Sequence, residues 1–161
     1  MKKLNLGCGE DYKEGWINID HRDNVKKDIK VDLNKFPYPF KKGKMDLCYM
    51  RNTLSFLRDP IRVLKELARI TKNGGSVVIS APHALSYSQI SGLGHNHHFT
   101  ENSFNINAMR EFQLEKLLKL RSQEFIYNNR WKRFIPFKNY LKIFLRGIYD
   151  DIKYEFEVIR T

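Results

Sequence analysis

Short apolar runs recur along the first half of the chain, with polar stretches between them. Leu4-Asn5-Leu6 reads as a first strand running into Gly7-Cys8-Gly9. Trp16-Ile17-Asn18-Ile19 reads as a second, ending at Asp20, and Ile29-Lys30-Val31 as a third, ending at Asp32. Met45 to Met50 and the β-branched Ser76 to Ser80 supply a fourth and a fifth. Continuous apolar runs of this kind suit strands buried on both faces of a parallel sheet. Between the fourth and fifth, Ile61, Leu64, Leu67 and Ala68 repeat at helical spacing and predict a helix from about Pro60 to Lys72. Asp59 is suited to its N-cap and Pro60 to its first turn, and Asn73-Gly74-Gly75 supplies a left-handed stop. Only Gly7 to Gly15 separates the first two strands. A parallel crossover usually needs about a dozen residues or more, so a turn or irregular loop is expected there, not a helix.

The second half is less regular. A polar loop from His83 to Thr100 precedes an expected helix from about Glu101 to Arg110. Phe112 to Ser122 carries both periodicities and reads better as a strand. Phe137, Tyr140, Leu141, Phe144, Leu145 and Ile148 fall on one helical stripe, opposite Lys138, Lys142 and Arg146. Ile152, Tyr154, Phe156 and Val158 alternate with Lys153, Glu155 and Glu157, as in a half-exposed antiparallel strand. The pattern predicts an α/β fold: a Rossmann-like three-layer sandwich, its sheet mostly parallel with an antiparallel C-terminal edge strand. It is expected as a single domain over residues 1–161. Residues 1–126 form its ligand-binding core, and 127–161 a basic amphipathic helix plus the final strand.

Composition narrows the class. The chain of 161 residues is 42% apolar, enough for one ordinary core. Its 29 Lys and Arg against 18 Asp and Glu give a net charge of +11, which favours solubility and attraction to acidic partners without choosing among them. Two cysteines, Cys8 and Cys48, imply no disulfide framework and fit a reduced cytoplasmic setting. No signal-peptide h-region or membrane-spanning run is seen, so a soluble cytoplasmic protein is expected.

In an α/β sheet the ligand lies beyond the carboxyl ends of the strands. Three features land there. The glycines of Gly7-Cys8-Gly9 let backbone approach a ligand closely. Asp20 can accept both hydroxyls of a ribose. Asp32-Leu33 can take an adenine amine on the acid and the ring on the apolar side chain. A dinucleotide fingerprint is absent, because Gly9 is followed by Glu10-Asp11-Tyr12 and the third glycine is missing. Those acids repel pyrophosphate and tolerate a cationic sulfonium, which Tyr12 and Trp16 could face through cation–π contact or else leave for packing roles.

The ordered motifs LNLGCG, GWINID, VDL, FPYPF and KMDLCYMRNTLSFLRDPIRVLKELARITKNGGSVVISAPH resemble those of the small class I methyltransferases of the methyltransferase-11-like group, over roughly residues 3 to 104. The resemblance implies S-adenosylmethionine as co-substrate. It puts Gly7, Cys8 and Gly9 against the methionine portion, Asp20 on the ribose and Asp32 at the adenine end, with His21, Leu33 and Asn52 completing the candidate cofactor set. Family members carry a His-x-Leu-Glu-His-Leu-like stretch after the fourth strand. Here it reads Asn52-Thr53-Leu54-Ser55-Phe56-Leu57, with Ser55 and Phe56 in place of the acid and histidine. An Asp-Pro-x-His element of similar proteins becomes Gly92-Leu93-Gly94-His95, keeping the histidine without the acid. The cofactor side matches, and the acceptor side departs.

Four of the five histidines lie between positions 83 and 98. They read as an active-site lid with His83 or His95 as general base, or as packing and surface residues. A metal site is the weakest reading, since no Cys, Asp or Glu stands beside the His-x-His, and no metal is expected. Methyl transfer itself asks mainly for alignment of donor and acceptor. The expected activity is methyl transfer to a small-molecule or glycan-type acceptor. Its rivals are a nucleic-acid methyltransferase, for which there is charge but no base-flipping motif, and a catalytically silent S-adenosylmethionine-binding module. The basic tail helix is expected to cover the sheet with its apolar face; the alternative is peripheral contact with an anionic membrane.

Overall fold

The computed structural model describes residues 1–141 and 147–160. Its strands are β1 (Lys3–Leu6), β2 (Ile17–Asp20), β3 (Ile29–Lys30), β4 (Met45–Arg51), β5 (Thr71–Pro82), β6 (Leu118–Ile126) and β7 (Asp151–Val158). Its α-helices are α1 (Pro60–Ile70), α2 (Tyr87–Ser91), α3 (Ile106–Glu111) and α4 (Lys138–Leu141). The strands form one seven-stranded sheet in the order β3-β2-β1-β4-β5-β7-β6. β1 runs parallel to β2 and β4, β2 to β3, and β4 to β5. β7 is antiparallel to both β5 and β6. The fold is the expected mostly parallel Rossmann-like sheet with antiparallel C-terminal strands. The rim position goes to β6, however, and β7 slots in beside β5.

One sheet face carries the core. Leu4, Leu6, Ile19, Cys48, Met50, Val77, Ile79, Tyr154 and Phe156 are buried there with Val63, Leu64 and Leu67 of α1. On the alternate positions Leu47, Tyr49 and Val78 are only half-buried, so β4 and β5 are not sealed on both faces as their composition predicts. The reason is the short first crossover. As expected, residues 7–16 make turns and no helix, so nothing of a helix's bulk covers this side.

α1 begins as predicted, with the Asp59 carboxylate accepting from the Arg62 N–H at 2.9 Å, a cap worth about 1 kcal/mol. Its end differs. Thr71 is already extended and pairs with Met45, and Asn73-Gly74-Gly75 form an irregularity in β5 before Ser76 pairs with Leu47. Gly74, at φ +76°, serves that bulge and not a helix stop. The expected loop after β5 contains α2, started by the Ser86 hydroxyl accepting from Gln89 N–H. α3 starts at Ile106 and not near Glu101, because Asn105 supplies its cap. The ambiguous segment becomes a strand only from Leu118. In the tail, Phe137 is 77% and Tyr140 75% exposed, so these positions do not cover the sheet. The expected stripe positions Phe144 and Leu145, with Lys142 and Arg146, lie outside the described residues. No described helix is long and apolar enough to cross a membrane.

Candidate functional site

The carboxyl ends of β1, β2 and β4 frame a cleft of about 730 Å³. Gly7, Cys8, Gly9, Asp20, His21, Asp32, Leu33 and Asn52, all eight of the expected cofactor positions, line it. The parallel register brings them together: Leu6 pairs with Ile19 and Met50, so the residues that follow each of these strands emerge side by side.

The glycine turn is sterically required. Gly7 lies at φ +65°, and a Cβ there would come 2.5 Å from Thr53 Oγ1. Gly9 lies at φ +50°, and a Cβ there would come 2.5 Å from Arg22 Nη2. Only glycine adopts these angles cheaply, and only its bare backbone leaves room for a ligand. Thr53 closes the turn from the far side: its hydroxyl donates to the Arg51 carbonyl at 2.9 Å and lies 3.3 Å from that of Gly7. Cys8 is buried among these groups, and burial, reinforced by the Asp20 charge, pushes its thiol up.

Asp20 is the most tightly held acid of the cleft. Its Oδ2 accepts from the Gly9 N–H at 2.9 Å and its Oδ1 from the Arg22 N–H at 2.9 Å. Burial raises its carboxyl. Hydrogen bonds from the Arg22 side chain, the Arg22 N–H and the Gly9 N–H outweigh that and hold it below the ordinary aspartate value. Asp32 is half-exposed and accepts from the Asn34 N–H at 3.0 Å, while the neighbouring Leu33 is buried. Glu10 and Asp11 also line the cleft, and Arg22 and Arg51 add two cations. The arrangement can hold a nucleoside: acids at two strand tips for hydroxyl and amine donors, an apolar side chain for the ring, and a bare turn for close approach.

The loop that carries Glu10 and Asp11 is held by two buried asparagines. Asn5 Nδ2 donates to the Asp11 carbonyl at 2.7 Å and to Asn18 Oδ1 at 3.0 Å. Asn18 Nδ2 donates to the Lys13 and Trp16 carbonyls at 2.9 and 3.2 Å, and its Oδ1 accepts from Lys13 N–H at 2.9 Å. These side chains supply, in a loop too short for a helix, partners that a helix would supply from its own backbone.

Of the histidines between positions 83 and 98, neither candidate base is brought to the cleft lining, which holds only His21. His83 is 1% exposed, against Phe125 and Tyr149, and lies outside the cleft lining. Its Nδ1 accepts from the Leu85 N–H at 3.2 Å, which leaves Nε2 facing Glu101 Oε2 at 3.3 Å. Its place is therefore a packed corner between β5 and the following loop. His95 is nearer: its ring lies 4.2 Å from that of Phe56, a lining residue, and its Nδ1 is 2.9 Å from Ser55 Oγ. A Cβ on Gly92 would come 2.7 Å from its Nε2, so that nitrogen packs against Gly92 and not into the cleft. Burial, with His98 adding to it, holds this imidazole below the ordinary histidine range. The two departures noted in the sequence thus touch: Ser55 stands where an acid would, and it partners the retained histidine. Trp16 packs on Tyr49 under Lys3 and Lys13, and Tyr12 lies under Lys26, so neither ring faces the cleft. Among the described residues, no three His, Cys, Asp or Glu side chains cluster as a metal site.

Sequence reasoning missed Arg22, Arg51 and Thr53, and marked Phe56 only as a departure from the family pattern. Arg22 carried a local signal, two residues beyond the acid of β2. Arg51 and Thr53 are set by the neighbouring strand and had none.

A methyltransferase-domain family profile matches residues 4–79. No curated protein sequence matches the chain. Among solved structures, a chain of the Haloferax volcanii complex between the Trm112 methyltransferase activator and a methyltransferase superposes with a TM-score of 0.71 at 14% identity, covering 99% of this chain and 83% of that one. An S-adenosylmethionine-dependent methyltransferase from Mesorhizobium loti gives 0.67 at 12% identity, covering 97% and 90%. The [4+2]-cyclase SpnF gives 0.63 at 14% identity, covering 99% and 76%. At these identities the likeness is one of fold.

Proposed function

We propose that the chain, whose residues 4–79 match a methyltransferase-domain family and whose fold is shared with S-adenosylmethionine-dependent methyltransferases, passes a methyl group from S-adenosylmethionine to a small-molecule or glycan-type acceptor. The co-substrate supplies an already activated methyl on a sulfonium. The observation that carries the reading is the meeting of Gly7–Gly9, Asp20 and Asp32-Leu33 in one cleft. Gly7 and Gly9 admit the methionine portion against bare backbone. Asp20 orients the ribose, and Asp32 with Leu33 receives the adenine. Glu10 and Asp11 favour a cationic centre over a pyrophosphate.

In the transfer, the acceptor's oxygen or nitrogen lone pair forms the new bond to carbon while the carbon–sulfur pair leaves with sulfur. The acceptor's proton then goes to solvent or to a nearby base. The chain's contribution is alignment and exclusion of water, which needs no histidine in the cleft.

A second reading keeps the pocket without the chemistry. It is favoured by Ser55 and Phe56 at the acceptor side and by the placing of His83 and His95 outside the lining. The fold shared with a [4+2]-cyclase is consistent with uses other than methylation. Calorimetric titration with S-adenosylhomocysteine tests the cofactor assignment. The native chain is expected to bind, and Asp20→Asn to lose about tenfold or more in affinity, as removal of a charged hydrogen-bond acceptor implies. Incubation of a cell extract with methyl-labelled S-adenosylmethionine separates enzyme from silent module. Label entering the low-molecular-mass or glycan fraction supports the first, and no incorporation beside intact binding supports the second.

A further inference from the structure

Asp20, the acid assigned above to the ribose, has no acceptor site free. Oδ1 takes the Arg22 N–H at 2.9 Å and Arg22 Nε at 3.2 Å. Oδ2 takes the Gly9 N–H at 2.9 Å and Arg22 Nη2 at 3.4 Å. A carboxylate offers about four lone-pair sites, so all are in use. The guanidinium also lies over the glycine turn, its Nη2 2.5 Å from where a Cβ of Gly9 would be. The Asp20 side chain is 4% exposed beneath it, while that of Arg22 is 46% exposed. The two backbone donors belong to the turns that shape the cleft. The two guanidinium donors belong to a half-exposed side chain that can rotate into water, giving up its two hydrogen bonds to Asp20.

We infer that Arg22 is a built-in competitor for the ribose seat: its Nε and Nη2 hold on Asp20 the two acceptor positions that a vicinal diol takes, and the cofactor enters by displacing them. The inference rests on the cofactor reading and sharpens it. A ligand offering two hydroxyls in fork geometry returns both hydrogen bonds to Asp20. One offering a single hydroxyl leaves a lone pair of a buried acid unpaired, which is costly. Arg22 therefore sets both the affinity of the cleft and its preference for an unmodified ribose.

The test is calorimetry with S-adenosylhomocysteine on the native chain, Arg22→Ala, Arg22→Gln and Asp20→Asn, at low and at about 0.5 M sodium chloride. Arg22→Ala is expected to bind about two- to fivefold tighter than the native chain, the range for losing a partly exposed ion pair that competes with the ligand. Arg22→Gln, which keeps the stem and loses the charge, moves the same way and covers a folding failure of the alanine variant. Salt screens the guanidinium–carboxylate attraction, so the native affinity rises with salt while that of Arg22→Ala does not. Equal or weaker binding by both Arg22 variants, or one salt response shared by all, overturns the role of Arg22 and leaves the cofactor assignment standing. Absence of binding by the native chain and by both Arg22 variants removes the assignment itself, and this inference with it.

Discussion

Gly7 shows how a single residue fixes the site. Its φ of +65° is one that side chains rarely adopt, and Thr53 occupies the space a Cβ would need. Gly7→Ala is expected to lower stability by about 2–4 kcal/mol, from backbone strain and overpacking together, read as a lower denaturant midpoint. Pairing it with Thr53→Ser, which removes the methyl, should recover part of that loss. The cysteines give a second test. Burial pushes Cys48 up to about 12, against the weaker opposing effect of the hydrogen bond from Thr71, and raises Cys8 as well. Under native conditions at pH 8 an alkylating reagent should therefore leave Cys48 unmodified. It should modify Cys8, on the cleft wall, slowly and not at all once the cleft is filled. At this scale the glycines and acids were legible because their residue types are scarce at strand tips and have few uses there. Arg22 was not, since in a chain of net charge +11 its place two residues beyond the acid of β2 does not tell that it turns back onto that acid. His83 misled because proximity to β5 in sequence does not tell whether a side chain turns into the cleft or into the corner behind it.

Among the elements, the short first crossover is the informative one. Its length excluded a helix, and the structure adds what replaces one: Asn5 and Asn18, paired across β1 and β2, bind the loop's carbonyls. Asn18→Ala would leave several buried donors and acceptors unpaired, at a cost of about 2–4 kcal/mol. The loop carrying Glu10 and Asp11 should loosen with it, so binding of S-adenosylhomocysteine should weaken beyond what the stability loss explains; native-like affinity in the folded variant would show the network to be structural only. The apolar spacing of the chain does not contain these contacts, because an asparagine inside a strand reads simply as a polar interruption. The same limit explains the end of α1. Gly74 carried a stop signal, but Thr71 found a strand partner first. It also explains β7, whose alternation predicted an antiparallel strand while its neighbours were decided by which edge of β5 was still open.

For the whole molecule, the layout follows from parallel strands whose tips gather on one side of the sheet, and that much was legible from the order of the runs and the residues ending them. The uneven covering of the two sheet faces was not, since it depends on helices that the crossovers lack. Nor was the exposure of Phe137 and Tyr140, whose spacing matched a packed helix. The central claim is that the chain's ligand site is the cleft at the tips of β1, β2 and β4. The most direct measurement is amide chemical-shift mapping of the labelled protein titrated with S-adenosylhomocysteine. Saturable shifts concentrated in residues 7–11, 20–22, 32–34 and 51–57, with β6 unmoved, are the predicted result. Shifts centred on the surroundings of His83 or on the basic tail, or none at saturating ligand, would contradict it.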